Sequence, residues 1–261
     1  DLHPRVRRQR QMCIRDSYPA DKVVNSFGVQ DDFLYDYAIP VLNQRAATGQ
    51  PFFATLLSIS NHPPYVIPPF FHPKTSEPET QIVEYADWAL RQFFEEARKQ
   101  PWFDNTIFVL EGDHGKLVGD AECELPESYN HIPLMIYSSR IQPEEKTTFG
   151  GQVDIQPTIL GLLNIDYLQN NFGVDLLKEE RPCMFYTADN MVVGRNDTLL
   201  YLYNYETQQE LTYDIGNGKL NAVPMDDSFL PLKEYSFSML QSAEFLVKHG
   251  KTLNSIPFTQ Q

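Results

Sequence analysis

Apolar side chains recur at helical spacing between Glu79 and Lys99. The positions that share this spacing are Ile82, Ala86, Ala89, Leu90, Phe93 and Ala97. Residues three and four apart line one face of a helix, so the stretch predicts an amphipathic helix that buries this face.

Two further helices are predicted on either side of it. The upstream helix begins at Asp31 or Asp32, either of which can cap its first turn, and Pro40 should bend or shorten it. The downstream helix is capped by Asp154. Its buried positions are expected to be Ile155, Ile159, Leu160 and Leu163.

Three short apolar runs predict strands. Phe52 to Ile59 precedes the helix of 79–99, Phe108 to Leu110 follows it, and the third run lies in HIPLMIYSS after His131. A strand, helix, strand unit closes with its strands parallel and its crossover right-handed. The carboxyl ends of the first two strands should therefore meet at one sheet edge, where open α/β sheets bind ligands.

The pattern changes after Pro182. Aromatic and β-branched residues are separated by Asn, Asp and Gly turns in MFYTADNMVVG, TLLYLYNY and ELTYDIGNG, which predicts an antiparallel meander. A final helix over Pro231 to Lys248 should turn Tyr235, Met239, Leu240, Ala243 and Leu246 inward. We therefore predict an α/β part over 18–180 and a small antiparallel β subdomain with a terminal helix over 181–261.

Composition limits the function. The 261 residues carry a formal charge of −14, which argues against nucleic acid as a partner because phosphate backbones are held by clustered cations. No apolar run approaches the roughly 18 residues of a membrane span, so the chain as given is expected to be soluble. Residues 1–17 are rich in arginine and read as a basic arm, a solvated tail or a non-native leader; we favour the leader.

Two motifs carry candidate chemistry. Asp113 and His114 follow the strand in FVLEGDHGK, and carboxylate and imidazole groups are ligands that Zn and Mn accept. His62 follows the run from Phe52 to Ile59, in SNHPPY, and should reach the same sheet edge. Asp-His-Gly is also an ordinary turn sequence, so the metal site depends on this second histidine lying nearby.

The ordered set SNHPPY, DNTIFVLEGDHG, HIPLMIYS and QVDIQPTILGLLNI resembles the lipoteichoic acid synthase branch of the alkaline phosphatase and sulfatase superfamily. The resemblance spans about residues 26–165, and 185–214 is similar to the small C-terminal sheet of that family. It implies a three-layer αβα sandwich of the alkaline phosphatase-like type, partly present here, with a small antiparallel sheet and a terminal helix.

The resemblance also implies roles for single residues. Asp113 and His114 match a pair of metal ligands for manganese, with zinc, magnesium or calcium as alternatives. His62 matches a histidine that contacts the substrate phosphate. His131 can do the same if its strand runs antiparallel to its neighbour and lies on the far side if it runs parallel; the linker 116–130 allows either.

Family members carry a nucleophile and a further acidic ligand upstream, and neither has a counterpart here. Cys183 lacks the sulfatase context, Cys13 lies in the leader, and Cys123 and Cys183 can pair if the domain is exported. We therefore expect a C-terminal portion of a catalytic domain, inactive alone, whose parent is anchored in the cytoplasmic membrane with this domain outside.

The function implied for that parent is metal-dependent phosphotransfer or hydrolysis. Its substrate would be a phosphoglycerol-bearing lipid, and phosphoglycerol would move onto a cell-envelope polymer through a covalent intermediate. Two alternatives stay open: a sulfuric ester hydrolase acting on sulfate esters, and a non-catalytic binding domain on the same fold.

Overall fold

The computed structural model describes residues 18–251 apart from 20, 21, 26, 118 and 119, so the predicted leader lies outside the described residues. The helices are α1 (Asp31–Ala46), α2 (Pro78–Ala97), α3 (Gln152–Leu162) and α4 (Leu230–Lys248). The strands are β1 (Phe108–Glu111), β2 (Leu134–Tyr137), β3 (Met184–Ala188), β4 (Met191–Arg195), β5 (Leu199–Asn204), β6 (Gln209–Asp214) and β7 (Asn221–Ala222). Strands β1 and β2 pair with each other, and β3 to β7 form a second sheet.

The chain divides into two compact units. The first comprises Asp1–Val109 and Ile136–Gln142, and the second comprises Leu110–Met135 and Pro143–Gln261. No described helix has both the length and the apolar character that a membrane crossing requires.

The core of the first unit lies between α1 and α2. Its buried members are Ala38, Leu42, Phe93, Ala97, Trp102 and Phe103. The indole Nε1 of Trp102 donates to Asn43 Oδ1 at 2.6 Å, which satisfies the one polar atom of this large side chain. The helix predicted over 79–99 is therefore confirmed, and it buries the face that the periodicity indicates.

Two details of α1 differ from the prediction. The N-cap is Gln30, and Asp31 is the first helical residue, so neither aspartate is the cap. Asp31 is instead buried and accepts hydrogen bonds from the backbone of a distant segment. The helix also runs through Pro40 to Ala46, so the proline does not shorten it.

The strand predicted over Phe52 to Ile59 is wrong. No residue of this run belongs to a strand, and Phe53 and Leu57 are largely exposed. An apolar run becomes a strand only where a neighbouring strand completes its hydrogen bonds, and none of the described residues does so here. Leu56 packs against the core of the first unit, and at the end of the run Ile59 N and Ser60 N donate to Asp31 Oδ1 at 3.0 Å each.

The second unit contains the predicted antiparallel meander. Its five strands pair in chain order, β3-β4-β5-β6-β7, and every pairing is antiparallel. Helix α4 covers β4, where Gly194 leaves room for Ser236. One core cluster of this unit includes Leu125, which is 1% exposed and comes from the segment after β1.

Helix α3 rests on a buried ion pair. Arg181 Nε donates to both carboxylate oxygens of Asp154, which is fully buried. Asp154 is not the cap but lies at the third helical position, where Oδ2 accepts from the N–H of the cap residue Gly151 at 2.9 Å. The buried residues of α3 are Asp154, Pro157 and Thr158, whereas Leu163, its C-cap, is 50% exposed and not buried as predicted.

Cys123 and Cys183 are both free thiols. Cys123 packs beside the Leu125 cluster, whereas Cys183 belongs to a separate cluster with Tyr201, Phe229 and Leu232. The pairing considered from the sequence is therefore not present.

Candidate functional site

Asp113 and His114 occupy a turn directly after β1, as predicted, and both side chains are exposed. Gly115 closes the turn against the segment that precedes β2, where its N–H donates to Tyr129 O at 2.8 Å. A methyl group on Gly115 would lie 1.9 Å from Ser128 O, so only glycine permits this approach. We call residues 112–115 the Asp-His turn.

The two segments beside this turn run in opposite directions. Gly112 faces Ile132, where an added methyl group would lie 3.3 Å from Ile132 Cγ2, and Gly115 bonds to Tyr129. As the residue number rises from 112 to 115 along the turn, that of the facing residue falls from 132 to 129, so the two segments are antiparallel. Of the two alternatives for His131, the structure has the one in which the start of β2 lies beside the Asp-His turn.

The imidazole of His114 has a defined orientation. Its Nδ1 lies 2.7 Å from Gly115 O, and a carbonyl only accepts, so Nδ1 carries the hydrogen. In the neutral ring Nε2 then presents a lone pair. A histidine that binds a metal commonly donates its other ring N–H to such a carbonyl. Asp113 Oδ1 accepts from the His114 backbone N–H at 3.0 Å, which holds the carboxylate in the same turn.

These two side chains fit a divalent cation as a pair. Carboxylate oxygen and imidazole nitrogen are both suitable donors, and their exposure leaves them accessible. Among the described residues, no group of three or more His, Cys, Asp and Glu side chains is arranged to hold a metal ion. A divalent cation held by Asp113 and His114 would therefore need further ligands beyond these two side chains.

Gln152, the first residue of α3, also binds the Asp-His turn. Its Nε2 donates to Gly112 O at 3.1 Å and to Asp113 O at 2.9 Å. Both partners are main-chain carbonyls, so the bonds fix the path of the backbone and not a side chain.

His62 lies in an exposed loop, 60–66, whose two ends are bound to the start of α1. Asp31 Oδ1 accepts from Ser60 N at 3.0 Å, and Gln30 Nε2 donates to Val66 O at 2.7 Å. Ser60 Oγ completes the network by donating to Gln30 Oε1. Burial raises the pKa of the Asp31 carboxyl above its ordinary value, and the hydrogen bonds from Ser60 and Ile59 lower it by less.

The imidazole of His62 repeats the arrangement seen at His114. Its Nδ1 lies 2.7 Å from Pro63 O, so Nε2 is the ring nitrogen that faces away from the backbone. The ring also packs on Phe27, with 3.9 Å between centroids. His62 belongs to the first unit, whereas Asp113 and His114 belong to the second, so the predicted meeting of His62 with these two residues stays a prediction.

The sulfatase family model matches residues 8–165, more than half of the chain. The chain belongs to the sulfatase family. Lipoteichoic acid synthase 1 of Bacillus subtilis is 27% identical over 221 residues, which cover 77% of this chain and 33% of that protein. The chain thus spans about a third of the length of this curated relative.

Solved structures agree with the family. A protein of the alkaline phosphatase superfamily from Vibrio parahaemolyticus has a TM-score of 0.75 and 26% identity, over 88% of this chain and 58% of that one. The lipoteichoic acid synthase LtaP from Listeria monocytogenes has a TM-score of 0.72 and 21% identity, over 94% and 64%. The predicted α/β fold of the alkaline phosphatase-like type and the resemblance to lipoteichoic acid synthases are confirmed. Members of this superfamily are enzymes that generally use divalent metals.

Sequence reasoning missed the residues that hold the two loops. Asp31 is predicted as a cap, while Gln30 and Gln152 receive no role. Each binds backbone about 30 to 40 residues away, a relation that periodicity does not encode. The available signal is weak: each is a polar residue at the very start of a helix.

Proposed function

We propose that this chain supplies the metal-binding turn and the substrate histidines of an enzyme that transfers phosphoglycerol from a lipid donor to a cell-envelope polymer. The observation that carries the proposal is the Asp-His turn, in which an exposed carboxylate and an oriented imidazole lie at the end of a strand. The lipoteichoic acid synthase relatives support phosphoglycerol as the group transferred.

Asp113 and His114 would hold the cation, with Asp113 offering a carboxylate oxygen and His114 offering Nε2. We propose manganese; zinc, magnesium and calcium also accept such ligands. A bound divalent cation withdraws charge from a phosphoryl oxygen and so favours attack on phosphorus.

His62 and His131 would contact the substrate phosphate. His62 directs Nε2 away from the backbone, and His131 is exposed beside the Asp-His turn. Hydrogen bonds to the phosphoryl oxygens are worth most as negative charge builds on those oxygens during the reaction.

The nucleophile has no match in this chain, and we propose that no residue here takes that role. The chain alone should therefore bind metal and phosphate esters without turning them over. For the parent enzyme we propose a place in the cytoplasmic membrane with this domain outside. Sulfate ester hydrolysis is the second candidate, because the matching family model is that of the sulfatases.

The test measures bound manganese by elemental analysis in the wild-type chain and in Asp113→Ala. The wild type should retain the metal and the variant should lose it, while unchanged metal content would remove Asp113 from the site. Titrations with glycerol 1-phosphate and with methyl sulfate then separate the substrates. Tighter binding of the sulfate ester would favour a sulfatase, and binding of neither would favour a non-catalytic domain. Phosphodiesterase turnover by this chain would contradict the absence of a nucleophile.

A further inference from the structure

Gln152 donates two hydrogen bonds from one nitrogen atom to two successive carbonyls. The acceptors are Gly112 O and Asp113 O, at 3.1 and 2.9 Å. The side-chain amide nitrogen has two hydrogens, so each carbonyl can receive its own. Because both partners only accept, the NH₂ group and not the amide oxygen must face the turn.

These bonds act on the residues that present the proposed ligands. Gly112 and Asp113 connect β1 to His114, and their carbonyl directions determine where the Asp113 and His114 side chains leave the backbone. The turn is also bound at Gly115, whose N–H donates to Tyr129 O. The turn is thus held at its first half by Gln152 and at its second half by the segment before β2.

Hydrogen bonds also fix the backbone that precedes Gln152. The preceding residue, Gly151, is bound to Asp154 in both directions, with Asp154 N donating to Gly151 O and Gly151 N donating to Asp154 Oδ2. Asp154 is in turn held by Arg181. A donor fixed to such a rigid base can hold the turn in one conformation.

We propose that Gln152 is a positioning residue for the metal-binding turn. It holds the turn in one conformation, which lowers the free-energy cost of ordering Asp113 and His114 when they bind a divalent cation. Gln152 itself does not contact the cation. This inference rests on the proposed function, in which those two residues are ligands.

The experiment titrates the ¹⁵N-labelled chain with Mn²⁺ and follows paramagnetic broadening of amide signals, which detects weak binding. The variant Gln152→Met keeps the side-chain length and removes the two donors. The control Gln156→Met makes the same change one turn along α3, at an exposed residue whose Oε1 accepts from Asn171 Nδ2. The variant Asp113→Ala reports whether the turn is the metal site.

In the wild type, broadening should centre on Asp113 and His114 and should vanish in Asp113→Ala. Gln152→Met should need about tenfold more Mn²⁺ for the same broadening, as is typical when the partners of metal ligands are removed. Its Gly112 and Asp113 amide signals should shift while its unfolding temperature stays near that of the Gln156→Met control.

Each other outcome has a distinct meaning. Absence of broadening at the turn in the wild type, or broadening that survives Asp113→Ala, would contradict the proposed function itself. Broadening that depends on Asp113 but is equal in Gln152→Met and the control would overturn the role of Gln152 alone.

Discussion

The loop 60–66 and the Asp-His turn both present a histidine, but different kinds of side chain hold them in place. Each presents a histidine whose Nδ1 binds the carbonyl of the next residue, and each is held by the first residues of a helix. At the loop a carboxylate that is 2% exposed, Asp31, touches the backbone directly. At the turn the buried carboxylate, Asp154, stabilises the helix, and the exposed amide of Gln152 makes the contact.

The contact at the loop should contribute to the stability of the fold, whereas the contact at the turn should mainly orient the side chains that the turn presents. Removing a buried acceptor leaves backbone N–H groups without partners, which destabilises the folded state. Removing an exposed donor releases carbonyls that water can bind at little cost. We therefore expect the loop to be coupled to the stability of its unit, and the turn to be adjustable without unfolding.

The largest effect should follow from Arg181→Leu. The variant leaves the buried carboxylate of Asp154 without its cation, and we expect a loss of about 3–5 kcal/mol in the free energy of unfolding of the second unit. Urea unfolding followed by far-UV circular dichroism measures it. Lys146→Met is the control, since Lys146 and Glu144 are both exposed and should contribute less than about 1 kcal/mol. Equal losses would mean that the pair does not support α3.

Asp31→Ala should come next. Two buried or half-buried N–H groups, of Ile59 and Ser60, lose their acceptor, and we expect a loss of about 2–4 kcal/mol. Both tryptophans, Trp88 and Trp102, lie in the first unit, so fluorescence during urea unfolding reports this unit specifically. Asp31→Asn keeps the Oδ1 acceptor and should lose far less. Similar losses in the two variants would show that the Oδ1 acceptor does not account for the stabilisation by Asp31.

Gly115→Ala should cost about 1–3 kcal/mol, because the backbone must move away from Ser128 O to admit the methyl group. Gly216→Ala is the matched control, since an added methyl group there meets nothing closer than 3.4 Å. Far-UV circular dichroism during urea unfolding compares the two variants. A Gly115→Ala protein as stable as the control would mean that the backbone of the turn moves away from Ser128 O at little cost in free energy.

The smallest effect is a pH dependence. Folding raises the pKa of Asp31, so the folded state binds more protons than the unfolded state above the ordinary value of 3.8. The contribution of this group to stability therefore falls as pH rises from 3.8 through its folded pKa, and then levels off. The difference in tryptophan-monitored unfolding free energy between wild type and Asp31→Asn should follow this curve. A difference that rises with pH would mean that folding lowers the pKa of Asp31, contrary to this expectation.

The sequence predicts what depends on neighbours along the chain. The spacing of Ile82, Ala89 and Phe93 identifies α2, and the turn residues after Pro182 identify the meander, because both patterns are local. The run from Phe52 to Ile59 has the composition of a buried strand, but a strand also needs a partner, which composition does not reveal. The same limit applies to Asp31, whose carboxylate binds Ile59 and Ser60 after the chain has folded back.

The order of the five-stranded sheet bears on how the protein folds. Each of its strands pairs with the strand next to it in the chain, so only short loops must close before hydrogen bonds form. Structures rich in contacts between chain neighbours fold faster than structures dominated by distant pairings. We expect this sheet to be an early nucleus, onto which Leu125 and the segment leading to His131 dock later in the folding pathway.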